Sequence, residues 1–349
     1  MGILKSMGKN PSGERLKKVQ ASSNYRDNMF QNQSITLVMN GRGDFFKVLG
    51  KFLNKPKNVK PPRPLPAVKT DLKNLPDGNP VLVWFGHSSY LIKIDGKHIL
   101  VDPVFSGYAS PFKMGSAKSF DGTNVYNVED MPPIDVLLIT HDHYDHCDYK
   151  TVLQLNSKTK YIITSLGVGS HLEYWGFNMN KVTELDWNES AEKIEGIKFT
   201  SAPARHFSGR DFKRAKTLWA SFILKTKNHS IYLGADSGYD KHFKEIGEKH
   251  GPFDLAILES GQYNEMWHGI HMMPEETVQA SIDLKATTLL PVHWGKFCLS
   301  LHPWNEPIER VIKKAGELNV KLATPMIGET IIIGEKYPAE MWWRKVAEN

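Results

Sequence analysis

The run Ile134-Asp135-Val136-Leu137-Leu138-Ile139 leads directly into Thr140-His141-Asp142-His143-Tyr144-Asp145-His146-Cys147-Asp148-Tyr149. A short apolar run of this kind reads as a buried strand. Its end delivers three imidazoles and three carboxylates into one turn, and such groups need partners when buried. In extended chain, residues two apart point to the same side, so His141 and His143 can grip one ion. Asp145 and His146 arrive as the chain turns into the next helix and face elsewhere, as a second ion requires. A solvated histidine-rich turn is the bland alternative. Four potential ligands in six residues after an apolar strand weigh against it.

One loop cannot complete two coordination shells, so further ligands are expected at other strand ends. His206 follows IKFTSAPAR, Asp236 ends SIYLGAD and His293 ends TTLLPVH. Each alone is unremarkable, since a lone histidine more often satisfies a hydrogen bond than binds a metal. Their shared position just past an apolar run is the signal, because a mixed sheet gathers such ends along one rim. Five histidines and two aspartates form a nitrogen- and oxygen-rich set suited to two zinc ions, with iron or manganese as alternatives.

The rest of the chain supplies a body for such a rim. Strands are expected at 81–85, 90–94, 98–102, 135–140, 161–164, 197–202, 221–226, 230–236, 254–258, 287–293 and 330–335. Helices are expected around 148–156, 166–175, 240–249, 274–284 and 305–317. Asp95-Gly96 marks a hairpin. Strands interspersed with helices imply a mixed α/β body with helices covering sheet faces. Residues 1–70 read as an N-terminal extension. Its first 40 residues are polar and without sustained period, an arm that docks on the body. Asp44 to Lys55 places Phe45, Phe46, Val48, Leu49, Phe52 and Leu53 on one helical arc and lysines on the other. That helix either packs on the domain or touches lipid. A Pro/Lys linker, PKNVKPPRPLPAVK, follows it.

Composition excludes some classes. With only two cysteines, Cys147 and Cys298, there is no disulfide framework, and a reducing, cytoplasmic setting is the simpler expectation. No apolar run reaches the length of a membrane span. A net charge of +6 suits an acidic partner. The charge and the basic cluster RHFSGRDFKRAK (205–216) raise the question of nucleic acid, but no aromatic-interleaved basic groove or recognised binding module accompanies them, so nucleic acid is not expected.

HDHYDH, then His206, GADSGY around Asp236 and VHWGKF around His293 together resemble the metallo-β-lactamase superfamily. WFGHSSYLI (84–92), VDPVFSGYASP (101–111), ELDWNE (184–189) and HMMPEE (271–276) narrow the likeness to the branch containing N-acyl-phosphatidylethanolamine-hydrolysing phospholipase D. The likeness spans about residues 80–320 and does not extend over residues 1–60. The same core is similar to L-ascorbate-6-phosphate lactonases. The resemblance implies a four-layer αββα sandwich of two mixed sheets flanked by helices over 71–349, with metals in a groove at the sheet edge. Carried over, His141, His143 and His206 would hold one metal and Asp145, His146 and His293 the other, with Asp236 bridging. Asp142 and Asp148 match no ligand position and are expected to be dispensable for metal binding.

The function implied is phosphodiester hydrolysis of a phospholipase D type on N-acyl phosphatidylethanolamine-like lipids, through a metal-bridging hydroxide. Asp145 would orient the nucleophile. His271 matches a histidine facing the substrate headgroup, for phosphate binding or leaving-group protonation. A lactonase on the same dinuclear site is the alternative. From the residues alone, Asp102 is a candidate to support a liganding imidazole or to cap the VDP turn. His87 is either such a support or a turn residue. The expected partner is a phospholipid or small-molecule substrate, with peripheral membrane contact through 44–55 as a further expectation. Nothing in the sequence sets the oligomeric state.

Overall fold

The structure is a computed structural model that describes residues 3–36, 50, 55–112 and 117–348. The expected helix at 44–55 lies outside the described residues apart from Gly50 and Lys55. The arm opens with α1 (Ile3–Ser6) and α2 (Gly13–Gln20), then a small hairpin of β1 (Tyr25–Arg26) and β2 (Met29–Phe30).

In the body, β3 (Val81–Trp84), β4 (Tyr90–Ile94) and β5 (Lys97–Val101) run antiparallel. The β4–β5 turn is Asp95-Gly96, both at positive φ as a two-residue hairpin requires. Next come β6 (Ile134–Ile139), β7 (Thr159–Ser165) and β8 (Val182–Leu185), each parallel to its predecessor, with β6 beside β5. A second sheet holds β9 (Ser190–Ile194), β10 (Ile197–Ala202), β11 (Ser221–Lys225) and β12 (Ser230–Leu233) in antiparallel array. It continues with β13 (Leu255–Glu259) and β14 (Leu289–Val292) in parallel. Finally β15 (Thr330–Ile332) returns to the first sheet and pairs with β3.

Side-chain alternation along the strands explains the layers. Leu82 and Trp84 of β3 join Phe222 and Leu224 of β11 in one core between the sheets. Val81 and Val83 point the other way, into a second core with Val152, Leu155 and Leu172. These last residues belong to α3 (Tyr149–Leu155) and α4 (Gly169–Tyr174), which cover the first sheet. On the far side, Ile223 and Tyr232 pack with Phe243, Val278 and Val311. Those come from α5 (His242–His250), α6 (Pro274–Asp283) and α7 (Glu306–Leu318). The last of these shows why it is a helix: Ile308, Val311 and Ala315 recur at three- and four-residue spacing and are buried, and Asn319 ends it in the left-handed conformation. The result is the expected αββα sandwich of two mixed sheets.

Both ends of the chain enter the inter-sheet core. Val19 and Phe30 are buried there, so the arm does more than dock. Trp342 and Trp343 of α8 (Trp342–Ala347) are buried there too, with Trp342 stacked on Trp294 at 5.5 Å. Full burial of such side chains contributes about 1.5–3 kcal/mol each.

Candidate metal centre

All seven expected ligands lie past strand ends on one rim, and all but the partly exposed His143 and Asp145 are buried. His141, His143, His206 and Asp236 form one group whose ligand atoms lie within 4.8 Å of one another. Asp145, His146 and His293 form a second with His87. Asp236 stands between the two. Its Oδ2 is 3.9 Å from His141 Nε2, 3.7 Å from His206 Nε2 and 3.2 Å from His146 Nε2, and its Oδ1 is 3.1 Å from His293 Nδ1.

The hydrogen bonds around this rim decide which ring nitrogens carry protons. Asp102 Oδ2 accepts from the Thr140 hydroxyl at 2.6 Å and from His146 Nδ1 at 2.8 Å. With its own proton committed to Asp102, Thr140 Oγ1 accepts from His141 Nδ1 at 3.0 Å. His206 Nδ1 donates to the Ile270 carbonyl at 2.9 Å. The Nε2 atoms of His141, His146 and His206 are therefore bare lone pairs. Two of them face the same atom, His143 Nδ1, at 3.0 and 3.2 Å, and one proton there cannot serve both. Among buried atoms, His146 Nε2 and Asp236 Oδ1 have no hydrogen-bond partner. Lone pairs and a carboxylate converging without donors fit a cation.

Burial drives the His141, His206 and His293 imidazoles well below their usual range, so they are neutral, as metal ligands must be. Burial works against a charge on His146, yet Asp236, Asp145 and Asp102 outweigh it and raise that imidazole well above its usual range, as expected where carboxylates crowd a site suited to a cation. Burial opposes ionisation of Asp145, but His146 and His87 outweigh it and hold the carboxyl well below its usual range. Four residues of the rim, His87, Asp102, Gln262 and His293, have φ between 41° and 67°. Left-handed backbone costs a non-glycine residue about 1–3 kcal/mol and clusters at functional sites.

The clusters open into a cavity of about 260 Å³, walled by Phe207, Trp267, Ile270 and Leu299, with Arg214 and His271 also at its edge. His271 was singled out from sequence. It forms a third group with Asp236, Glu259 and His293. Its Nδ1 lies 2.8 Å from Glu259 Oε2, while Glu259 Oε1 accepts the Ser237 and Met272 amides at 3.0 and 3.1 Å. Burial works against a charge on His271, yet Glu259 outweighs it and raises the imidazole above its usual range. A larger cavity of about 710 Å³ lies behind the ligand loop, lined by Tyr108, Tyr144, Tyr149 and Arg210, and contains none of the seven ligands.

Asp142 and Asp148 lie outside the ligand groups but are not idle. Asp142 is buried and accepts from Thr217 Oγ1 at 2.7 Å and the Gly209 amide at 2.7 Å, with His171 Nε2 at 3.1 Å. Asp148 caps α3 through the Lys150 amide and accepts the Ser106 amide. Both shape the loop that carries four ligands. Asp102 supports His146 directly, the first of the two roles open to it from sequence. Cys147 and Cys298 are free and buried.

Several supports were not picked out from sequence. Glu259 ends the apolar run DLAILE and carried the same strand-end signal as Asp236. Ser88 Oγ reaches His293 Nδ1 at 2.8 Å. Asn32, from the arm, clamps His206 by accepting its amide at 3.0 Å and donating to its carbonyl at 2.8 Å. No local pattern marks Asn32, because its partner is remote in sequence.

Residues 97–294 match the family described as Beta-lactamase superfamily domain. The chain belongs to that superfamily. It is 38% identical over 330 residues to an uncharacterised protein of Mycobacterium tuberculosis, covering 93% of this chain and 88% of that one. It is 32% identical over 227 residues to N-acyl-phosphatidylethanolamine-hydrolyzing phospholipase D 1 of Caenorhabditis elegans, covering 61% of this chain and 63% of that protein. Among solved structures, the metallo hydrolase Igni18 of Ignicoccus hospitalis superposes with a TM-score of 0.55 at 20% identity. That match covers 73% of this chain and 98% of that one, and shares the fold.

Proposed function

We propose that this metal-dependent hydrolase of the beta-lactamase superfamily cleaves a phosphodiester bond, in a phospholipase D-type reaction on N-acyl phosphatidylethanolamine-like lipids. The observation that carries the phosphodiester is His271. It shares one cavity with both ligand clusters and is held by Glu259 with Nδ1 occupied, which leaves Nε2 for the substrate. A cationic imidazole and Arg214 at the edge of the same cavity suit an anionic phosphate better than a neutral lactone. The likeness to the nematode phospholipase supports the lipid class.

His141, His143 and His206 would hold one ion and Asp145, His146 and His293 the other, with Asp236 between them; zinc suits this donor set. When bound, the two ions would supply Lewis-acid charge and lower the pKa of a water. The chain's residues do the rest. Asp145, ionised at the cavity wall, accepts a hydrogen bond from the attacking water and orients it. His271 Nε2 binds a phosphate oxygen and stands ready to donate its proton to the leaving oxygen. Phe207, Trp267, Ile270 and Leu299 exclude bulk water, which strengthens every charge interaction in the cavity.

A lipid substrate asks for contact with a surface. No described helix is long and apolar enough to cross a membrane. Phe212 is fully exposed beside Lys213 and Arg214, on the same loop that lines the cavity. We place peripheral membrane contact there, alongside the basic amphipathic stretch 44–55. One substrate panel tests the whole reading: bis(p-nitrophenyl) phosphate, N-acyl phosphatidylethanolamine vesicles and lactones. Turnover of the two diesters is expected, and Phe212→Glu should slow vesicle turnover while leaving the soluble diester unaffected. Strong lactone turnover with no diester cleavage would replace this function with a lactonase.

A further inference from the structure

His87 carries two local costs at once. Its backbone adopts φ 53°, a region disfavoured for a residue with a Cβ. Its Nδ1 is buried with no hydrogen-bond partner. The side chain is fully buried, and its Nε2 lies 2.9 Å from Asp145 Oδ2. Of the two ring nitrogens only Nε2 meets an acceptor, so the ring donates from Nε2 to the Asp145 carboxylate. Nothing about the turn itself demands a histidine there.

The surroundings show what the arrangement secures. The His87 amide donates to the Trp294 carbonyl at 2.9 Å, and its carbonyl accepts the His293 amide at 3.0 Å and Trp84 Nε1 at 2.7 Å. Its ring lies against that of His293, with centroids 4.0 Å apart. The next residue, Ser88, hydrogen-bonds His293 Nδ1. One turn after β3 thus grips two of the three residues expected to hold the second ion. Three other candidate ligands have comparable supports: Thr140 for His141, Ile270 for His206 and Asp102 for His146.

We propose that His87 is a positioning residue for Asp145: its Nε2–H occupies Asp145 Oδ2, fixes the carboxylate's rotation and leaves the other oxygen for the second ion. The inference rests on the dinuclear reading above. It makes the affinity of the second site, and not of the first, depend on a donor at the position of His87 Nε2.

Two amide substitutions isolate that donor. His87→Asn is at ease at positive φ but too short to reach Asp145; His87→Gln places an N–H near the position of Nε2. Equilibrium dialysis of the full chain against buffered free Zn²⁺, read by metal content per chain, compares them with the natural protein. Second-site affinity should fall about 10- to 100-fold in His87→Asn, the usual scale for a lost support of a metal ligand, with the first site unchanged. His87→Gln should recover most of it. Undiminished second-site binding in His87→Asn would overturn the proposal, as would a His87→Gln variant no better than Asn. Urea unfolding of the metal-free proteins checks that both variants fold. If Asn fails to fold, a His87→Gln second site as tight as the natural one still supports the donor role and a weak one overturns it. Natural protein that binds fewer than two ions would instead defeat the dinuclear reading itself.

Discussion

In the first sheet β3, β4 and β5 run antiparallel and β6 joins in parallel; in the second, β10, β11 and β12 run antiparallel and β13 joins in parallel. The polar residues fall at matching stations. His87 follows β3 as His206 follows β10, and Asp102 follows β5 as Asp236 follows β12. The ligand loop follows β6, and Glu259 closes β13. Yet the stations do different work. In the second sheet His206 and Asp236 face the convergent lone pairs, and Glu259 supports His271. In the first sheet the His and Asp stations hydrogen-bond Asp145 and His146, and the loop after β6 presents the candidate ligands. The fold supplies positions on a rim, and the hydrogen bonds around each position decide its role.

Swapping equivalent residues is the sharpest way to break this comparison. Asp236→Asn is expected to abolish hydrolysis, because it removes the carboxylate between the clusters. Asp102→Asn should cost only about 10- to 100-fold in metal affinity, since it disturbs His146 at one remove. Equal losses in metal-binding titrations of the two would erase the distinction between ligand and support.

Within the ligand loop, the two acidic residues that do not ligate should also separate. Asp142→Ala breaks a buried cluster with His171 and Thr217, and about 3–5 kcal/mol of stability is expected to go with it. Asp148→Ala removes a helix cap and should cost about 1 kcal/mol. Urea unfolding of the metal-free variants measures both, and an Asp142→Ala variant as stable as the natural chain would refute the loop-shaping role. A comparably small effect is expected at Glu259. Glu259→Gln should raise KM for an anionic diester about tenfold, the scale of one charge-assisted hydrogen bond, and lower kcat at high pH, where the less basic His271 no longer carries its proton. An unchanged KM would show that Glu259 only packs.

Much of this was legible from residue order. The expected strands reappear within a few residues of their places because their apolar runs are buried on both faces, as in Val81–Trp84 and Leu255–Glu259. The seven candidate ligands, which the structure gathers into two groups, were legible because each closes or follows such a run. By contrast, β8 and β9 were missed. Each lies at the edge of its sheet, and VTEL and SAEKI are mostly half-buried or exposed, so no apolar run marks them. The arm's part was hidden for another reason. Val19, Phe30 and Asn32 matter through partners far along the chain, and no local period records such contacts. His87 was visible as a support or a turn residue with no partner named; its aim at Asp145 depends on bringing the turn after β3 beside the loop after β6.

Metal content and activity measured on the same preparation test the central claim most directly. Purified chain is expected to carry about two metal ions, to lose hydrolysis on dialysis against a chelator and to regain it when Zn²⁺ is restored. His206→Ala, which empties part of one cluster, should be inactive even with excess metal. Metal-free protein that retains full hydrolytic activity would contradict the account.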